Sequence, residues 1–502
     1  MNSTMSRRWA WGRTWLALIL ILVLALAGST GARQASAAPP PLQPFPCPDM
    51  PWRLGSPAFT ALPGAQAYYG QYAGGLYRVE VPDKWNGELV LYAHGYVAQT
   101  GPTGDLLQVP SIQPGWRANM IQQGFAWAAS SYRCNGYVPG IGLQDTLLLT
   151  GVFQDMNGGQ AAKKTYLTGH SMGGHVTLLG MHEYPATFAG ALAMCPAAPV
   201  LFDYFTAMGA AAEVVTGLTF SSSTPATDTL VRMFGIMGTP PNYTAKGYQM
   251  ASIMINSSGG PRPFAFEGLA TWFTSTISGS KLAGATDPRT AAMTNQDWGY
   301  GIDAGLGLTR DQVTSQVRRL AADPANRGED TPYNEVKPLN GKIQRPLLTM
   351  HGTGDMYVPI FVERQLKTAV EAAGKSDLLV QRIYRIPAHC GFSDAETNRA
   401  FDDMVAWARG GSKPAGDDVM ADLSDAGKQF TNPLRPGDPG TARITPALVG
   451  ARPPLPPNTG NGSVSATDDT ESWPFAAGAG AVLLVGTGWV AVDVRRRRAR
   501  TR

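Results

Sequence analysis

Ser171 stands between glycines, in Gly169-His170-Ser171-Met172-Gly173-Gly174, a setting suited to a serine that must act as a nucleophile. The apolar stretch Lys164-Thr165-Tyr166-Leu167-Thr168 precedes it, and the helix-forming stretch His175-Val176-Thr177-Leu178-Leu179-Gly180-Met181 follows. A strand that turns sharply into a helix lifts a serine hydroxyl clear of the sheet, and a turn that tight leaves no room for a Cβ at the two flanking glycines. A hydroxyl attacks poorly until an imidazole takes its proton, and the imidazole needs a carboxylate to fix its tautomer. Both lie downstream. Asp355 follows an apolar strand and a Gly-rich turn in Leu347-Leu348-Thr349-Met350-His351-Gly352-Thr353-Gly354-Asp355, and His389 follows the strand-like Val380–Ile386 in Pro387-Ala388-His389-Cys390-Gly391. Such a trio attacks carbonyl carbons, with Ser171 as nucleophile, His389 as base and then acid, and Asp355 holding the imidazole. The oxyanion that forms needs two backbone amides. Met172, at the start of the helix, is expected to supply one, and Tyr96, after the buried strand Glu88–Ala93 and His94-Gly95, the other, with Val97 as the alternative.

The chain order Ser, Asp, His, with His94-Gly95 upstream and His351-Gly352-x-x-Asp355-x-x-Val358-Pro359 downstream, resembles the serine hydrolases of the α/β-hydrolase superfamily over about residues 53 to 410. Gly124–Tyr132, followed by Asn135-Gly136, is also similar to a core strand and loop of the secreted esterases and peptidases of that group. The resemblance implies a mostly parallel sheet with helices on both faces. Secreted feruloyl esterases and tannases pair the cysteine after the base with one before the nucleophile, and here His170 occupies that place. The remaining histidines have quieter expected roles. His94 and His351 end strands and should hold loop carbonyls, His170 should shape the pocket floor, and His175 and His182 should be packed or solvated on the elbow helix.

The elements that must position these residues can be read from apolar runs. Strands are expected at Leu76–Val81, Leu89–Ala93, Phe125–Ser130, Thr165–Thr168, Ala191–Cys195, Leu347–His351 and Val380–Ile386, with helices between most of them, including Trp116–Gln123 and Glu396–Arg409. That alternation builds an α/β fold. From about 197 to 344, between strands 6 and 7, a cap is expected over the nucleophile, rich in residues such as Phe202, Tyr204, Phe205, Met233, Phe234, Met237, Phe264, Phe266, Trp272 and Phe273. Most of these should pack the cap's own core, yet a weakly charged aromatic lid favours an apolar or aromatic acyl substrate over a sugar phosphate or nucleotide. The leading expectation is a carboxylic-ester hydrolase acting on small-molecule esters. An exopeptidase or amidase is the alternative, with Glu213, Asp228, Glu267, Asp303, Arg310, Arg318 and Arg319 as groups able to hold a substrate terminus, and a non-catalytic adhesin is a third reading.

Composition narrows the classes further. Charged residues make up only 16% and the net charge is +4, of which arginines at 495–498, 500 and 502 supply more than the whole, so no nucleic-acid surface is implied. No metal-binding Cys/His spacing or phosphate-cradling loop occurs, and the expected chemistry needs no cofactor. Residues 1–37 read as a signal peptide: Arg7, Arg8 and Arg13 precede an apolar run and Ala35-Ser36-Ala37 offers a cleavage site. The catalytic domain is expected at 38–410, a Pro/Gly/Ala-rich linker at 411–472, a transmembrane helix at 473–494 and a basic cytoplasmic tail at 495–502. The protein would then be exported and held at the cell surface. A sorting-signal-like string, Leu455-Pro456-Pro457-Asn458-Thr459-Gly460, lies in the linker, far from the apolar segment. Four cysteines allow three pairings. Cys195 and Cys390 both belong at the carboxyl end of the sheet, which favours Cys195–Cys390 with Cys47–Cys134. Oligomeric state is not legible.

Overall fold

Apolar runs closed by glycine, proline or a polar turn form the strands here. The structure, a computed structural model, describes residues 46–431 and Ile444, apart from 48, 100–101, 221–226, 279–291, 329–330, 332, 334 and 425. Eight strands make the main sheet: β1 (Ala65–Tyr72), β2 (Gly75–Pro82), β3 (Glu88–Ala93), β4 (Ala126–Ser130), β5 (Lys164–His170), β6 (Gly190–Met194), β7 (Leu347–Gly352) and β8 (Leu379–Tyr384). Their hydrogen-bonded order is β8-β7-β6-β5-β3-β4-β2-β1. The hairpin β1–β2 and the pair β2–β4 are antiparallel, and all other pairs are parallel.

Alternation along the strands sends neighbouring residues to opposite faces. Val90, Tyr92, Leu192 and Met350 pack with Trp116 and Met120 of α1 (Pro114–Gln122) and Phe401 and Met404 of α10 (Asp394–Ala408). Leu89, Leu91, Leu167 and Ala193 meet α2 (Pro139–Met156), α3 (Met172–Glu183) and α9 (Phe361–Ala372) on the other face. Both faces are covered, which is why the parallel strands read as continuous apolar runs. Register then decides where the site lies. Ala93 pairs with Gly169, His170 with Met194, and Met194 with Met350, so β3, β5, β6 and β7 end at one rim.

Between β6 and β7, the sixth and seventh strands of the sheet, lie α4 (Leu201–Thr216), α5 (Thr227–Met237), α6 (Ala245–Ser257), α7 (Ala265–Ser278) and α8 (Arg310–Gln316). Tyr204, Met208, Met233, Met254 and Phe273 form their shared core, and Met356 and Val358 from the loop after β7 belong to the same cluster. The cap is thus packed onto the loop that carries Asp355.

Two readings need correction. Residues 411–431 were expected to be linker, yet Val419, Leu423 and Ala426 pack with Ile360 and Ile383. The amide of Asp417 donates to Gln381 O at 2.7 Å and its carboxylate accepts from Ile383 N at 2.7 Å, so this segment runs along the open edge of β8. An unpaired edge strand favours such a cover, and a Pro/Gly-rich composition conceals it. The expectation of a C-terminal transmembrane anchor holding the protein at the cell surface is also corrected: no helix among the described residues is long and apolar enough to cross a membrane. The longest, α2, has 18 residues, but Asp145 and Asp155 interrupt it and its apolar face lies on the sheet. Residues 1–37, 445–472, 473–494 and 495–502 lie outside the described residues.

Candidate active site

Ser171 closes β5 and opens α3 with φ 58° and ψ −117°, a conformation that residues with a Cβ rarely adopt. Surrounding bonds hold it there. Its amide donates to Met194 O at 2.9 Å, and its carbonyl accepts from His175 N at 3.1 Å and Ala197 N at 3.0 Å. The glycines answer the same crowding: a Cβ on Gly173 would sit on the carbonyl oxygen of Ala93, and one on Gly169 on the carbonyl of Gly173. The elbow helix therefore rests directly on the end of β3.

The structure brings Ser171, Asp355 and His389 together. His389 Nε2 lies 2.8 Å from Ser171 Oγ, and His389 Nδ1 lies 2.5 Å from Asp355 Oδ2. Asp355 is fully buried and Ser171 nearly so. The second carboxylate oxygen, Oδ1, accepts from Tyr357 N at 3.1 Å and Val358 N at 2.9 Å. Burial alone would raise the Asp355 pKa, but the imidazoles of His389 and His351 and these amides hold it below the usual carboxylate range. With Oδ2 kept as acceptor, the proton of the His389 pair sits on Nδ1, leaving Nε2 to face the serine.

The loop bearing Asp355 is fastened from behind. His351 Nε2 donates to Val358 O at 2.8 Å and its Nδ1 faces Glu363 Oε1 at 3.3 Å, both side chains fully buried. Both partners accept, so both ring nitrogens must donate. Burial opposes that charge, but the Glu363 carboxylate outweighs it and His351 is raised above its ordinary pKa. Thr349 Oγ1 and Gln381 Nε2 also donate to Glu363, at 2.6 and 2.5 Å. Holding a loop carbonyl is the role expected of His351, and the charged partner on α9 is an addition that sequence spacing does not reveal.

Met172 is the first residue of α3, where an amide has no intrahelical acceptor. Tyr96 packs against the cluster that includes Met172 and Tyr132, just past the end of β3. His94 Nδ1 donates to Gly95 O at 2.7 Å, and its ring stacks on Tyr132 at 3.9 Å. His170 packs edge-on against Tyr92 and Trp116, while His175 meets Tyr137 Oη at 2.7 Å and His182 bonds Leu178 O at 2.6 Å within the helix.

Two disulfides join Cys47 to Cys134 and Cys195 to Cys390. The second ties the residue after His389 to the end of β6. Cys195, His389 and Cys390 form the one cluster of three possible metal ligands among the described residues, but its sulfurs are bonded to each other.

Sheet order and the strained strand-to-helix turn at Ser171 decide the architecture. The chain has the α/β-hydrolase fold. No family model matches it. Solved structures similar to this chain include feruloyl esterase B from Aspergillus oryzae, at 14% identity and a TM-score of 0.40, covering 70% of this chain and 82% of that one. An esterase from Pyrococcus furiosus matches at 11% identity and TM-score 0.33, covering 72% of this chain and 98% of its own. An acylaminoacyl peptidase from Pyrococcus horikoshii matches at 13% identity and TM-score 0.36 over 72% of this chain, which spans only 44% of that larger protein.

Two rings beside His389 were not placed there by sequence. Trp272 of α7 stacks on Tyr357 at 4.5 Å, and both rings stand edge-on to His389, at 5.9 and 5.6 Å. Trp272 was named only as one of the cap's aromatic residues, and Tyr357 was hidden inside the strand-end motif. Its place two residues after Asp355 is the signal that could have found it.

Proposed function

We propose that this α/β-hydrolase is a serine hydrolase that cleaves carboxylic esters through an acyl-enzyme, with Ser171, His389 and Asp355 as its catalytic residues. The observation that carries the reading is His389 bridging Ser171 Oγ at 2.8 Å and Asp355 Oδ2 at 2.5 Å. Ser171 Oγ attacks the ester carbonyl carbon as His389 Nε2 takes its proton, and Asp355 stabilises the imidazolium. The amides of Met172 and Tyr96 receive the oxyanion, each worth about 3 kcal/mol of barrier. Collapse expels the alcohol, which takes the proton from His389, and a water activated by the same imidazole then releases the acid.

Trp272 and Tyr357 beside the imidazole support an apolar or aromatic group on the substrate. An ester is favoured over a peptide terminus because two of the cap's charged candidates serve each other: Arg318 pairs with Glu213 at 2.6 Å. Arg319 is likewise occupied by the carbonyls of Asn295 and Trp298.

Purified protein is expected to hydrolyse p-nitrophenyl butyrate and to be labelled by a fluorophosphonate, and Ser171→Ala to do neither. Turnover equal in the wild type and Ser171→Ala would refute the reading. Cleavage of aminoacyl-anilides in preference to esters would move the activity to amides on the same residues.

A further inference from the structure

Arg262, in the turn between α6 and α7, is fully buried, and its guanidinium meets no carboxylate at ion-pair distance among the described residues. A desolvated cation without such a counter-charge is costly, so its position calls for a cause. Nε donates to Thr353 O at 2.7 Å and Nη2 to Met356 Sδ at 3.0 Å, residues that lie on either side of Asp355. Nη1 donates to Gly260 O at 2.8 Å, and Ser258 Oγ receives both terminal nitrogens at 3.3 Å, which fixes the fork to the cap. The loop is gripped as closely by backbone. A Cβ on Gly354 would lie 2.6 Å from both Phe264 O and Pro387 Cα, and one on Gly268 would sit on the carbonyl oxygen of Gly354. Phe264 itself takes φ 61°, so the cap's turn is bent to make the approach.

We propose that Arg262 is a positioning residue for the triad: from the cap, its guanidinium holds Thr353 and Met356 and so fixes Asp355 beneath His389, while presenting positive charge to that carboxylate. The inference rests on the hydrolase reading above. Burial brings the Arg262 pKa down to about 10, opposed by Tyr204 and Asp355, so the group stays charged across the working range. The other groups facing Asp355 are His389, His351 with Glu363 behind it, Tyr204 of α4 and Tyr357; Arg364 of α9 faces Arg262. Burial holds both tyrosines well above their ordinary value, and they remain neutral. Removing the Arg262 charge therefore makes the carboxylate–imidazole pair easier to protonate as a unit.

The test is the second-order rate of inactivation of the full chain by a fluorophosphonate between pH 5 and 9, with thermal melts to establish folding. Arg262→Met is expected to react about tenfold more slowly at neutral pH, with its acid limb displaced upward by about one pH unit. Arg262→Lys keeps the charge but loses the fork, so it should retain the limb and recover only part of the rate. A residue that merely packs would leave the limb in place. A folded Arg262→Met with the wild-type rate and limb overturns the inference and leaves the hydrolase reading standing. Should Arg262→Met fail to fold, Arg262→Lys decides: a slower rate with an unmoved limb supports the inference, and a wild-type rate or a displaced limb overturns it. A wild type inert to the probe removes the hydrolase reading first, and this inference with it.

Discussion

Ser171 is held against its own backbone preference, and that tension can be measured apart from catalysis. At φ 58° a Cβ costs about 1–3 kcal/mol, which glycine does not incur. Ser171→Gly and Ser171→Ala should be equally inactive, yet the glycine variant should be the more stable by about 1 kcal/mol in urea. Equal midpoints would mean the elbow is unstrained. Gly173 has the opposite sign: its added methyl would meet the carbonyl of Ala93, so Gly173→Ala should lose more than about 3 kcal/mol or fail to fold. Asp355 is proposed to act through the tautomer it selects, as acceptor for His389 Nδ1 at 2.5 Å. Asp355→Asn should preserve the fold and lower kcat on p-nitrophenyl butyrate by about 10⁴, whereas a change confined to KM would deny it that role.

At the scale of elements, the Cys195–Cys390 disulfide joins the end of β6 to the loop that carries His389, across 195 residues of chain. It restrains both the unfolded ensemble and the imidazole. The double variant Cys195→Ala/Cys390→Ala should lose about 2–5 kcal/mol of stability, and any turnover of p-nitrophenyl butyrate should fall in kcat more than in KM. Unchanged kcat in a folded variant would reduce the bond to a plain staple. The elements it joins were legible because each is an apolar run with a glycine or proline at its end. The strand β1 was not, since Ala65–Tyr72 is an edge strand whose Gln66, Gln71 and exposed Tyr69 and Tyr72 blur the alternation. Ser171, Asp355 and His389, which the structure brings together, were legible as a set because the proposed chemistry requires particular residue types in chain order. Arg262, Glu363 and Trp272 were not: nothing local to an arginine in a loop, or a tryptophan on a cap helix, marks it as meeting a distant carbonyl or imidazole. The cover over β8 escaped for a related reason, because its stabilising partners are backbone groups of another strand.

Across the whole molecule, buried histidines set the pH range of stability. His94 and His175 are neutral in the fold, burial lowering them to about 4 and about 3, and burial lowers His182 as well. The unfolded chain binds those protons near pH 6.5, so stability falls as pH drops below that value, and His94 and His175 together remove about 5 kcal/mol by about pH 4.5. That is comparable to the whole stability of an ordinary domain. His351 has the reverse sign: raised by Glu363 against its burial, it contributes stability that is fully present below the unfolded value and is lost as pH rises through its folded value. Stability should therefore peak near neutral pH and fall on both sides. Tryptophan fluorescence in urea, repeated from about pH 4.5 to 9, gives the curve. His175→Gln should flatten its acid slope by about 1.4 kcal/mol per pH unit whatever the variant costs in packing, because the unfolded chain then binds one proton fewer. An unchanged slope would mean that His175 carries its proton within the fold, with Nδ1 donating to Tyr137 Oη.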